Sequence, residues 1–199
     1  MFNKIISTGM FDKVDRQILS QLVRDGRTSY KRLGEVVGYT PMGVKRRVEK
    51  LLSQGVIRVS ASLNVDALRL YTALIFLEIE SGEALDRIMR RFEECPRIVY
   101  LFSLLSGYNL AALVIAEDRD TLESESMERC SLRSQEGVRR TEFYPIGEVR
   151  YSPYLPIRID LMHRGLEIAP CGAECGRCSR YQAGKCVGCP ATKFYRGPL

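Results

Sequence analysis

Five cysteines fall within 19 residues, at positions 171, 175, 178, 186 and 189. Thiolates two residues apart can both reach one tetrahedral metal ion at Zn–S distances of about 2.3 Å, and two such knuckles make a closed structural site. Cys175/Cys178 with Cys186/Cys189 fit that scheme, and Gly172, Gly176, Gly184 and Gly188 supply backbone freedom around it. Cys171 is then an alternative ligand or a free thiol. Zinc is the expected ion and an iron–sulfur cluster its rival. Three closely spaced cysteines and a remote Cys189-Pro190 are similar to the bacterial ferredoxin run, although the gaps are three, two and seven residues. Radical enzymes that use S-adenosylmethionine share the three-then-two spacing, but no barrel-sized domain accompanies it here. Cys95 and Cys130 read as small buried apolar residues, and His163, the one histidine, as solvent-facing. No secretory signal is visible, which favours metal over disulfides.

The elements that could position further chemistry lie at the other end. Asp12 or Asp15 can start a helix with Val14, Ile18, Leu19, Leu22 and Val23 on one face, and Gly26 stops it. Thr28 or Ser29 opens a second, with Tyr30, Leu33, Val36 and Val37 inward until Gly38. Thr40 is a good N-cap for a third, because its hydroxyl can accept from free amides of the next turn, and Pro41 suits the first helical position. Val44, Val48, Leu51 and Leu52 share its buried face, which leaves Met42, Lys45, Arg46 and Glu49 pointing elsewhere and Arg47 and Lys50 on the flanks. With a strand after Gly55, the pattern predicts a winged helix-turn-helix whose third helix enters a DNA major groove. Lys45 and Arg46 are the expected base-reading residues, Thr40, Arg47 and Lys50 the expected phosphate contacts, and Met42 belongs to the same exposed strip.

Phe11-Asp12-Lys13-Val14-Asp15-Arg16-Gln17-Ile18-Leu19, then Asp25-Gly26-Arg27, Val48-Glu49-Lys50-Leu51 and Gly55-Val56-Ile57 resemble the N-terminal half of the Lrp/AsnC family of transcription regulators. The resemblance covers residues 11 to 152 and leaves the last thirty or so residues outside the common pattern. It implies a DNA-binding half followed by a dimerising, ligand-binding half.

Charge is distributed in the same sense. Residues 1–60 hold 12 Lys and Arg against 5 Asp and Glu, residues 61–150 hold 11 against 16, and residues 151–199 hold 7 against 3. The basic excess on the first segment would supply salt-sensitive attraction to phosphates. No apolar run approaches the ~20 residues that span a bilayer, so a cytoplasmic protein with no membrane partner is expected.

In the middle segment, Tyr71–Glu80 reads as a covered strand, Leu85, Ile88, Met89 and Phe92 as one buried helical stripe, and Ile98–Leu105 and Leu110–Ala116 as hairpin strands. A helix over Asp118–Ser134 and a strand over Arg139–Val149 complete βαββαβ, a ferredoxin-like sandwich in an α+β chain. Its uncovered sheet face predicts a homodimer or higher oligomer. In the family this domain pairs face to face and in many members binds an amino acid or other small effector at a subunit boundary. The turn Gly107-Tyr108-Asn109 matches the family's effector segment, with an amide in place of the usual acid. The resulting organisation is an extension at 1–10, the DNA-binding domain at 11–62, the ferredoxin-like domain at 63–152, a connector at 153–170 and a metal-binding tail at 171–199. An enzyme is not expected. Siroheme decarboxylases share this architecture but rely on middle-domain histidines, and none lies between Leu63 and Ser152. A metal-dependent interaction protein is the other alternative.

Overall fold

The computed structural model describes residues 11–199, and the expected extension at 1–10 lies outside the described residues. The chain forms two compact units, one ending at Ala61 and one spanning Ser62–Leu199.

The described residues of the first unit form three helices. α1 (Lys13–Arg24) starts with a reciprocal capping box between Asp12 and Asp15. α2 (Tyr30–Val37) is capped by Ser29 and ends on Gly38, and α3 (Pro41–Ser53) is capped by Thr40. Ile18, Leu33, Val44 and Val48 form the core, with Val14, Leu22, Val37 and Ile57 packed around them. Val23, expected inward, is 87% exposed. At about 100° per residue it sits some 140° from Ile18 on the helix, off the stripe that one small core can bury. Tyr30, Val36 and Leu52 are likewise exposed at the rim.

The expected wing strand is absent among residues 54–62. Val56 and Ile57 donate instead to the Leu51 carbonyl, and Ile57 closes the core. A strand needs a ladder partner for its backbone groups, and the described residues of this unit contain none. The turn between α2 and α3 is tight: a Cβ on Gly34 would lie 2.5 Å from the Tyr39 carbonyl oxygen. Gly34→Ala, a change that usually favours a helix by up to ~1 kcal/mol, should therefore destabilise this unit by about 1–3 kcal/mol. Thermal unfolding followed by circular dichroism would show it, and an unchanged or raised Tm would contradict the close approach.

The second unit is built on a four-stranded antiparallel sheet. β1 (Leu63–Asn64) precedes β2 (Tyr71–Ile79), α4 (Gly82–Phe92), β3 (Ile98–Ser103), β4 (Leu110–Ala116), α5 (Arg119–Met127) and β5 (Val138–Ile146), and β6 (Tyr154–Leu155) returns to pair with β1. The strand order β3-β4-β2-β5 is that of the expected ferredoxin-like sandwich. Ala73, Ile75, Leu77 and Ile79 of β2 pack with Ala84, Ile88 and Phe92 of α4 and Leu122 of α5. The opposite face is covered at one end by Val65, Leu70, Leu155 and Ile157, which pack on Ile115, Leu113 and Val99. Tyr100, Phe102 and Tyr144 of that face remain exposed, so the chain covers part of the face that was expected to be bare.

The second helix is shorter than expected. It ends at Met127, where Glu128 turns extended, and only Leu132–Ser134 resumes as a 3-10 turn capped by Ser131. Cys130 therefore lies in a link and not inside a helix. The cysteine segment is not a free-standing appendage: Ala169 and Cys171 belong to the main core of the unit, with Ala173 and Cys189 packed against it.

Candidate functional site

α3 presents two opposite strips. Val44, Val48 and Leu51 are buried, whereas Met42, Lys45, Arg46, Glu49 and Lys50 are exposed. Lys45 lies 3.6 Å from Glu49, an exposed pair of small energetic weight. Among the described residues Arg46 and Lys50 have no ion-pair partner. Thr40 Oγ1 accepts from the Gly43 amide at 3.2 Å. Arg47, expected on phosphates, is committed within the unit: its guanidinium donates to Asp12 at 2.7 Å and Asp15 at 2.8 Å, beside the Tyr39 ring. The Asp15 amide and Arg47 together hold the Asp12 carboxyl below the usual carboxylate range. These contacts tie the N-terminus of α1 to α3 and fix the angle at which the exposed strip is offered.

The predicted effector turn is also committed. Asn109 Oδ1 accepts from the Ile79 amide at 2.9 Å and its Nδ2 donates to the Ile79 carbonyl at 2.8 Å. Both ends of the amide clasp β2, so the side chain is held by the fold and turned to the Ile79 backbone. Tyr108 lies against Phe76 and under the Arg140 guanidinium, and Gly107 is exposed.

The tail cysteines converge with two others. A cleft of about 550 Å³ is lined by Cys171, Cys175, Cys178, Cys186 and Cys189 together with Cys95, just beyond α4, and Cys130, just beyond α5. All seven cysteines of the chain therefore face one space. The Cys189 amide donates to Cys175 Sγ at 3.3 Å and the Gly188 amide to Cys186 Sγ at 3.4 Å. Gly188 sits at φ +83°, and a Cβ there would meet the Phe194 carbonyl oxygen at 2.7 Å. Burial pushes the thiols of Cys95, Cys130, Cys171, Cys186 and Cys189 upward, Cys189 to about 12. Among the described residues no three His, Cys, Asp or Glu side chains converge closely enough to hold a single metal ion. His163 is exposed and outside the cleft, with Nε2 2.6 Å from the Leu199 carbonyl oxygen.

One wall of the cleft is a buried charge network absent from the expected sites. Arg97, with a side chain 6% exposed, donates to Glu117 at 2.6 Å and lies 3.5 Å from Glu125. It also donates to the Gly188 carbonyl at 2.7 Å. Burial opposes its charge, but the two carboxylates outweigh it and hold the guanidinium protonated well above its ordinary range. Burial and the neighbouring Glu117 raise Glu125 to about 7 despite Arg97. Further bonds dock the tail: Arg91 donates to the Cys171 carbonyl at 2.7 Å, Arg180 to Ser124 Oγ at 2.7 Å, and the Val187 amide to Thr121 Oγ1 at 3.1 Å. No spacing rule could join these residues, since 91 positions separate Arg97 from Gly188. The only signal available was the residue type of Cys95 and Cys130.

The AsnC-type helix-turn-helix domain matches residues 11–52. An uncharacterized HTH-type transcriptional regulator of Pyrococcus furiosus is 33% identical over 115 residues, spanning 56% of this chain and 74% of its own. Another, of Pyrococcus abyssi, is 28% identical over 132 residues, spanning 66% and 82%. Among solved structures, Escherichia coli AsnC superposes with a TM-score of 0.61 at 20% identity over 71% of this chain and 95% of its own. The Neisseria meningitidis regulator solved as a complex with L-Met gives 0.64 at 23% over 73% and 96%. More than a quarter of this chain thus has no counterpart in either structure. The α3 strip, the sandwich behind it in sequence and these likenesses agree: the chain belongs to the Lrp/AsnC family of transcription regulators.

Proposed function

We propose that the chain is a cytoplasmic, homo-oligomeric regulator that recognises a two-fold related operator in double-stranded DNA through paired α3 helices. The observation that carries this reading is the exposed strip of Met42, Lys45, Arg46 and Lys50 on a helix capped by Thr40 and clamped by Arg47. Arg46 is the residue best placed for a bidentate base contact and Lys50 for a phosphate. Arg46→Ala should weaken binding to the preferred operator by ~1–3 kcal/mol and relax its sequence preference. Lys50→Ala should weaken all sequences alike and reduce the salt slope by about one. Fluorescence anisotropy over a salt series on an operator obtained by in vitro selection distinguishes them. Unchanged affinity in both variants would remove α3 as the reading helix.

The exposed aromatic residues Tyr100, Phe102 and Tyr144, on the sheet face turned away from the helices, support a second copy of this chain as the partner of the sheet, since apolar surface of this kind seeks cover. Phe102→Glu should raise the dissociation constant of the full-length dimer by at least ~tenfold, or ~1.4 kcal/mol, in sedimentation velocity. Sedimentation identical to that of the wild type would place the interface elsewhere. The commitment of Asn109 to Ile79 argues for an effector other than one held through its ammonium group at Gly107-Tyr108-Asn109. The cysteine cleft is read as a metal centre, supported by seven thiols around one space.

A further inference from the structure

From the way the thiols surround the cleft, we infer that it holds a polynuclear iron–sulfur cluster, ligated from both sides: by cysteines of the tail and by at least one of Cys95 and Cys130. This inference rests on the reading of the cleft as a metal centre and adds the class of metal group and the participation of the ferredoxin-like domain.

Four observations converge on it. A closed zinc site takes four ligands drawn onto one point at about 2.3 Å, whereas here seven thiols share a cleft of about 550 Å³ and no three of the described ligand-type side chains meet at single-ion spacing. A cluster presents several metal corners, so its ligands must stand apart around it. The walls also carry Arg91, Arg97, Arg129 and Arg177 beside Glu125, Glu128 and Glu174; Arg97 and Arg177 are paired with carboxylates, which leaves Arg91 and Arg129 as cations suited to the net negative charge of a thiolate-bound cluster. Two backbone amides already point at cysteine sulfurs, Cys189 N–H at Cys175 and Gly188 N–H at Cys186, and hydrogen bonds to sulfur are among the features that set cluster potential. Finally, Cys95 is tied beside the tail: Arg97, two positions away, grips the Gly188 carbonyl, and Arg158 donates to the Cys95 carbonyl at 3.3 Å, while Cys130 packs on the same core as Cys171. Each ligating thiol would lose its proton to solvent as its Fe–S bond forms, with no electron taken from the thiol. The cluster would then join the tail to the ends of α4 and α5, and loss of the cluster would loosen that joint.

The test uses the full chain purified anaerobically and treated with ferrous and ferric iron plus sulfide, or with zinc alone. The expected result is iron and acid-labile sulfide in equal amounts per chain with broad visible absorption. In the Cys95→Ser/Cys130→Ser variant iron and sulfide should fall several-fold while circular dichroism is retained. Full iron and sulfide content in that variant would overturn the two-sided ligation. Uptake of zinc alone would overturn the cluster but leave the metal centre standing, and uptake of neither metal would overturn both. Should the variant fail to fold, thiol alkylation of the wild-type chain decides: at least one of Cys95 and Cys130 should be labelled when chelated and protected when loaded. Labelling of both that does not change on loading overturns their role.

Discussion

Arg97→Ala should destabilise the second unit by about 3–5 kcal/mol, because it leaves two carboxylates in a nearly dry site without their cation. Glu117 and Glu125 have side chains only 2% and 11% exposed, and Arg97 is the group that faces both. The variant also removes the donor to the Gly188 carbonyl, so the tail should come away together with the charge network. Against a typical domain stability of about 5–15 kcal/mol, that loss is roughly a fifth or more of the total. Arg97→Lys should recover part of it, since an ammonium keeps the charge but cannot form the two-pronged contact with Glu117. Urea unfolding followed by tyrosine fluorescence suits the measurement, because eight of the ten tyrosines lie in residues 62–199. A shift below about 1 kcal/mol would mean that water reaches the network freely.

Glu125→Gln should act in the opposite direction at neutral and alkaline pH. One guanidinium faces two carboxylates, and burial with the Glu117 charge raises Glu125 to about 7 from an ordinary 4.5. The folded chain therefore holds this proton more tightly than the unfolded chain. The contribution of Glu125 to stability is fully present below about pH 4.5 and is lost as pH rises through about 7. At 1.36 kcal/mol per unit, the metal-free wild type should lose on the order of 3 kcal/mol across that window. The amide cannot ionise, and Arg97 keeps Glu117, so the variant should lack this decline and unfold at higher urea than the wild type above pH 7. If chelated wild type and variant show the same pH dependence, another group is the one that titrates.

The local features of the chain were legible without coordinates. Asp12, Ser29 and Thr40 cap their helices, Gly38 ends α2, and the near-continuous apolar run of β2 and the stripe of α4 define the sandwich. Capping and hydrophobic periodicity act within a few residues, so residue type and spacing are enough to place them. The exposed strip of α3 follows from the same periodicity. So does the gathering of paired cysteines in the tail, whose gaps of two residues hold each pair together.

What required the folded chain was every feature in which one segment answers another. The wing strand failed because a strand depends on a partner outside itself, and Arg47 left the expected phosphate contacts because α1 brings Asp12 and Asp15 within 2.8 Å. Asn109 was spoken for by Ile79, thirty residues earlier. Cys95 and Cys130, each unremarkable in its own neighbourhood, became walls of the cysteine cleft when the tail docked across α4 and α5. Sequence by itself determined the three helices of the first unit, the four sheet strands of the second, the family and the local grouping of tail thiols, since these rest on short-range geometry. Tertiary structure alone decided which charges are already paired and which thiols share a space, because Coulomb and coordination energies depend on distances of a few ångströms that chain separation does not set.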